Sequence, residues 1–172
     1  MKLLRCLIPF LMLAGLAAGG SAQEVRTDYD HKVPFEQFHT YSWAKVKTTN
    51  PLWEPRIRDA VDKELSEKGW QKVNSGGDVV LTAVGSTQNQ QEYQTFYDGL
   101  GGWRWGGLGD LSTTTVQNIR VGTLVVDMYN ANNKQLVWRA TSSDTLSNKP
   151  EHNEKTLDKA VDKMFKNFPP KK

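Results

Sequence analysis

Apolar side chains at Ile57, Ala60, Val61 and Leu65 recur at intervals of three and four between residues 54 and 68, with charged residues between them. That spacing lines one face of a helix, and the pattern predicts one here. Pro55 suits its first turn and Gly69 the left-handed position just past its end. A second stripe, Leu157, Ala160, Val161, Met164, Phe165 and Phe168, predicts a closing helix, with Asp162 and Lys166 supporting its outer face across one turn. Pro169 and Pro170 stop it.

Elsewhere the period falls to two. Val25 to Asp30 predicts an opening strand that ends near His31, before Pro34 interrupts any ladder. "FHTYSWA", residues 38–44, is aromatic and β-branched and predicts a second strand, with Phe38, Thr40 and Ser42 on one side and His39, Tyr41 and Trp43 on the other. Trp70 and Val73 then lead to Gly76-Gly77, a turn signal. "DVVLTAVGSTQ" starts apolar and turns polar, as a strand does when it leaves a covered sheet for a solvated edge. "STQNQQEYQTFYD" continues it as extended strand or ordered loop, and "TTTVQNIRVGTLVVDMYN" reads as the returning strand. The clearest local unit is a hairpin, "GTLVVDMYN", "ANNK", "QLVWRATSSDTL". Leu124, Val126 and Met128 share one face of its first strand, and Leu136, Trp138 and Ala140 one face of its second. One register then makes Asp127 and Arg139, on the opposite face, a cross-strand structural ion pair. The chain order ββαβββα predicts an α+β fold, an antiparallel sheet of about five strands with both helices packed on one face.

The first 22 residues read as a cleaved secretory signal peptide. Lys2 and Arg5 form a positive start, Leu7 to Leu16 an apolar stretch, and Gly20-Ser21-Ala22 a cleavage site before Gln23. The apolar stretch is shorter than the ~20 residues of a spanning helix and is broken by glycines. Its loss removes the only cysteine, Cys6, so the mature chain has no thiol for disulfides, nucleophilic catalysis or zinc. Without Lys2 and Arg5 the formal charge falls from +3 to +1, and no nucleic-acid partner is expected from that balance. The remainder, residues 23–172, is long enough for one α+β domain with an adequate core.

Across the mature chain, "VRTDYDHKVPFEQFHTYSW", the "GW" after the first helix, the glycine-rich middle, "GTLVVDMYNANNKQLVWRATSSDT" and the closing "NFPPK" resemble the bacterial envelope family of domain of unknown function 4136. The most specific part is the hairpin, where Gly122, Asp127, Leu136, Val137, Trp138 and Arg139 match. The resemblance implies an exported, often lipid-anchored envelope protein with an α+β fold, and carries no catalytic residues. This sequence departs from the lipoprotein pattern, because Leu13-Ala14-Gly15 is followed by Leu16 and not by cysteine. Soluble periplasmic release is therefore expected.

Little in the sequence favours catalysis. Asp28, Asp30 and His31 suggest a metal site, but alternation sends His31 away from the two carboxylates. His39 and His152 have no catalytic partners linked to them by sequence, and Ser142, Ser143 and Asp144 lack the glycine-flanked elbow of a serine nucleophile. Neither metal nor cofactor is expected. The remaining candidate is "DGLGGWRWGGLGDLS", residues 98–112, a loop of six glycines and two tryptophans. It lacks the lysine and hydroxyl residue of a phosphate loop. In an extended segment Trp103 and Trp105 share a face opposite Arg104, and Tyr93, Phe96 and Tyr97 enlarge the surface. Such rings stack on sugars or enter a membrane interface; they can equally fold back over a sheet edge. The sequence thus favours an envelope binding or interaction module with this aromatic segment as its surface, its partner an envelope protein, a cell-wall glycan or a membrane surface. The alternatives are a hydrolase using carboxylates such as Asp28 and Asp144, and a structural assembly subunit.

Overall fold

The computed structural model describes residues 23–97 and 112–170; the expected signal peptide and most of the glycine- and tryptophan-rich loop lie outside them. The elements are β1 (Glu24–Tyr29), β2 (Thr40–Thr48), α1 (Trp53–Glu67), β3 (Gln71–Lys72), β4 (Val79–Tyr97), β5 (Ser112–Asn130), β6 (Leu136–Thr145) and α2 (Pro150–Phe165), with a short 3-10 turn at Phe35–Gln37. They form an α+β fold whose sheet has the order β1-β6-β5-β4-β2-β3.

Among the described residues the sheet has six strands, against the expected five or so, and it is mixed, not antiparallel throughout. β2 runs parallel to both β3 and β4. The reason lies in the connection: α1 carries the chain back along the sheet, so it re-enters in the direction of β2. The sixth strand is two residues long, paired with Thr40 and Tyr41, too short for alternation to reveal it.

Both helices cover one face. Val79, Leu81 and Ala83 of β4, Leu124, Val126 and Met128 of β5, and Trp138 and Ala140 of β6 join Ile57, Val61 and Leu65 of α1 and Val161, Met164 and Phe165 of α2 in one buried cluster. Two bulges shift parity within it. The β2 register slips between Trp43 and Lys45, which brings Tyr41 and Val46 into the same core. In the final hairpin Met128 opposes Trp138 while Tyr129 opposes Leu136, making Val137 the extra residue. Val137 is consequently buried and Leu136 is 39% exposed, contrary to strict alternation. Where the helices end, Trp138, Phe165, Phe168, Phe35 and Trp70 pack with ring centroids 4.9–5.9 Å apart. This aromatic wall closes one end of the molecule.

Candidate functional site

The opposite end is left open by a taper in side-chain size. Along the helix-covered face, β4 runs Leu81, Ala83, Gly85; β5 read backward runs Met128, Val126, Leu124, Gly122; β6 runs Trp138, Ala140, Ser142, Asp144. Trp53 and Ile57 of α1 and Asn153, Leu157 and Ala160 of α2 stand over this end, enclosing a cleft of about 290 Å³. The glycines make room for its walls: a Cβ at Gly85 would lie 3.1 Å from Thr48 Cγ2, and one at Gly122 2.8 Å from Leu146 Cδ2. Much of the rim is already engaged. Arg120 Nη2 donates to Ser147 O (3.1 Å) and Asn148 Oδ1 (2.8 Å), and Asn153 holds both the N–H and the carbonyl of Ser147. The cleft is at the small end of the range for ligand pockets, with room for a single ring or side chain.

From this end the two longest strands leave the sheet. β2 accompanies β4 only as far as Gly85, paired with Thr48, and β6 accompanies β5 as far as Val121, paired with Thr145. The β4–β5 ladder runs on without a register shift to Tyr97 opposite Ser112. The eight pairs from Gln90–Ile119 to Tyr97–Ser112 therefore form a two-stranded ribbon with no third strand among the described residues. At ~3.4 Å per residue it reaches roughly 25 Å beyond the sheet.

Three of the sequence-predicted residues fall on this ribbon. Tyr93, Phe96 and Tyr97 sit opposite Val116, Thr113 and Ser112 in the register. Trp103, Arg104 and Trp105 belong to the connection outside the described residues. Asp127 and Arg139 are cross-strand neighbours on the uncovered face, joined through Nε–Oδ1 (2.6 Å) and Nη2–Oδ2 (2.7 Å). Tyr129 adds a hydroxyl to Asp127 Oδ2 at 3.3 Å, and the carboxylate raises the pKa of Arg139. A nearly buried carboxylate held by two parallel bonds is a structural clamp across β5 and β6.

Other sequence candidates are dispersed. Asp28 and Asp30 accept local backbone N–H groups, those of Tyr29 and Lys32, and the His31 ring packs 4.3 Å from Tyr29. Asp28 is aligned with Arg139, whereas Glu24 at the other end of β1 is aligned with Ser143, so Asp28 and Asp144 lie at opposite ends of their strands. These two carboxylates therefore do not share a cleft. Ser143 shares a hydrogen bond with Thr123 at 3.0 Å, Ser142 is buried, and Asp144 accepts the Thr145 N–H. Among the described residues no three His, Cys, Asp or Glu are grouped to hold a metal, and no helix is long and apolar enough to cross a membrane.

Sequence reasoning missed two acidic residues that organise the fold. Asp62 of α1 collects donors from β2 and β3. Asp78 clasps the start of β2: its Oδ2 accepts the N–H groups of His39 and Thr40, both at 2.9 Å, and the Thr40 hydroxyl at 2.8 Å. Those backbone bonds, then the hydroxyl, lower its pKa. Glu64 behaves oppositely, because burial in the α1 stripe, then the charges of Glu67 and Asp162, push its pKa up.

The two shifts give opposite pH dependences. Asp78 contributes stability that is complete above its unfolded value, ~3.9, and is lost as pH falls through its lowered folded value. Glu64 contributes stability below its unfolded value, ~4.3, and that contribution is lost as pH rises through its raised folded value. Asp78→Asn is accordingly expected to lower the thermal midpoint most at neutral pH and hardly at all in strong acid. Glu64→Gln is expected to raise the midpoint at neutral pH with little change near pH 3. Calorimetry across that range checks both, and parallel melting curves for either variant and the parent would refute its assignment.

A sequence profile described as Domain of unknown function (DUF4136) matches residues 25–170. The chain belongs to this family. Members are thus related to it through nearly all of the α+β unit described above. A comparison with curated proteins returns no match. Among solved structures, a PDZ domain protein from Parabacteroides distasonis superposes with a TM-score of 0.57 at 12% identity, over 87% of this chain and 37% of its own. The chain thus spans well under half the length of that protein. PelC from Paraburkholderia phytofirmans, solved as a dodecamer, superposes with a TM-score of 0.53 at 13% identity, over 88% of this chain and 100% of its own. A lipoprotein from Neisseria meningitidis gives a TM-score of 0.42 at 13% identity, over 75% and 99%. At these identities the first two likenesses establish the fold alone.

Proposed function

We propose that this protein is an exported cell-envelope interaction module that engages its partner through the outer part of the β4–β5 ribbon and the segment joining its strands, with Tyr93, Phe96 and Tyr97 of β4 and Trp103, Arg104 and Trp105 of the joining segment as recognition residues. The observation that carries this reading is the ribbon itself. Eight strand pairs continue past the last flanking strand. A two-stranded ribbon is marginal by itself and adds little to the core it leaves, so its length serves reach. Aromatic rings at the far end of such an arm can stack on a cell-wall glycan, enter a membrane interface or fill a pocket on another envelope protein. Export is supported by the leader sequence and by the family resemblance.

Binding of the mature chain to isolated cell-wall sacculi and to liposomes, beside a Trp103→Ala/Trp105→Ala variant of equal stability, tests this. Binding by the parent and its loss in the variant are expected. Equal binding by both proteins, or none by either, would overturn the assignment. A second reading, as a structural assembly subunit, is favoured by the likeness to PelC, whose whole chain is matched and which was solved as a dodecamer.

A further inference from the structure

The ribbon presents two strand edges that pair with no other described strand. Among the described residues, no third strand flanks residues 86–97 on the β4 side and none flanks residues 112–119 on the β5 side. Exposed edges of this kind template pairing with other strands, and proteins guard against it with lysine, proline, bulges or short strands. Within residues 86–97 and 112–119 none of those guards is present. Residues 86–97, STQNQQEYQTFY, contain one charge, Glu92, and residues 112–119, STTTVQNI, contain none; neither segment has a proline or a lysine. The ladder crosses both without a bulge.

Resting on the assembly reading above, we infer that the outer edge of β4 in one molecule pairs with the outer edge of β5 in a second copy of this chain, so that ribbons join side by side. Both edges lie on the same ribbon, on opposite sides, twelve and eight residues long and with almost no charge. A different protein adding one strand would cover one edge and leave the other bare. A second copy offers β5 to β4 while presenting its own β4 to the next molecule. That contact is heterologous, and it leaves no edge exposed when the rotation between copies closes into a ring. Backbone hydrogen bonds supply the attraction, as in other strand additions, and the absence of like charges lets identical segments approach.

Sedimentation velocity of the mature chain across a wide concentration range, beside three variants, tests the inference. In the first, Asn-Gly replaces residues 90–119 and joins the paired residues Asn89 and Arg120; in the second, Asn-Gly replaces residues 98–111 and joins Tyr97 to Ser112. The third carries Gln88→Lys and Gln90→Lys at exposed positions of β4 beyond the end of β2. Assembly is expected for the parent and for the variant lacking only the tip, and monomers for the shortened ribbon and the lysine pair. A parent that is monomeric throughout, or assembly retained in the shortened ribbon, would overturn the inference. Should the shortened chain fail to fold, the lysine pair decides in its place. The proposed recognition role fails separately: a monomeric parent that still binds sacculi or liposomes through its tryptophans refutes edge pairing only, and an assembling parent that binds neither refutes recognition only.

Discussion

Replacing Gly77 with alanine is expected to destabilise the protein by about 3 kcal/mol, the upper part of the usual range for overpacking a rigid site. A Cβ at this position would lie 2.6 Å from the carbonyl carbon of Tyr41, 2.7 Å from its Cα and 2.8 Å from the Ser42 nitrogen. All three are backbone atoms of β2, held by the ladder to β4 and by the Asp78 clasp on its first residues, so no rotamer change relieves the clash. Its neighbour provides the control. Gly76 has φ +72° and nothing within 4 Å of its notional Cβ, so Gly76→Ala is expected to cost only ~1 kcal/mol of backbone strain. Urea denaturation of both variants separates crowding from conformation; equal midpoints would mean that β2 yields to the added methyl.

These adjacent glycines show where the sequence was legible and where it was not. As a dipeptide they mark the break in regular structure between β3 and β4, because either glycine suffices for that signal. That one serves a left-handed φ and the other a backbone contact depends on β2 lying beside β4, a pairing across 35 or more residues. The helices were readable because their apolar stripes are local. So was the Asp127–Arg139 register, because the hairpin that sets it spans few residues. Parallel pairing of β2 with β4 was not, since alternation fixes which face a residue occupies but not strand direction. Val137 and Leu136 were exchanged for a related reason: a bulge inverts parity without altering composition.

At the site, the change from apolar to polar within "DVVLTAVGSTQ" marks the departure from a covered sheet, and β2 leaves β4 at Gly85, whereas "STQNQQEYQTFYD" stood open between strand and loop. Its continuation as strand required knowing that an equally long partner returned beside it. The cleft at the ribbon's root was hidden, because it arises from three strands tapering together. Gly85, Gly122 and Ser142 carry no chemistry that would single them out separately, and only their alignment beneath the helix N-termini makes an opening.

Asp62→Ala is also expected to cost about 3 kcal/mol, from donors left without acceptors rather than from lost volume. Asp62 Oδ1 accepts the Tyr41 hydroxyl at 2.9 Å and the Trp43 indole N–H at 2.8 Å, while Oδ2 meets Lys72 Nζ at 2.7 Å. One carboxylate therefore ties α1 to β2 and β3. Tyr41 is only 1% exposed, and burial, then the bond and charge of Asp62, push its pKa up, so the hydroxyl stays protonated and must donate. In "DAVDKEL" the aspartate looked like one more solvated residue on a charged helix face, and nothing local pointed to two ring donors from a strand about twenty residues away. The lysine contributes least, since its side chain is half exposed and such pairs are worth ~0–1 kcal/mol. Lys72→Ala should accordingly cost under about 1 kcal/mol. Asp62→Asn, which retains a carbonyl oxygen for Tyr41 and Trp43, should fall between the two, at about 1–2 kcal/mol. Denaturant midpoints for the three variants test that order. If Asp62→Ala were no worse than Lys72→Ala, water would be replacing the carboxylate at both ring donors, and the attachment of α1 would have to come from its apolar stripe alone.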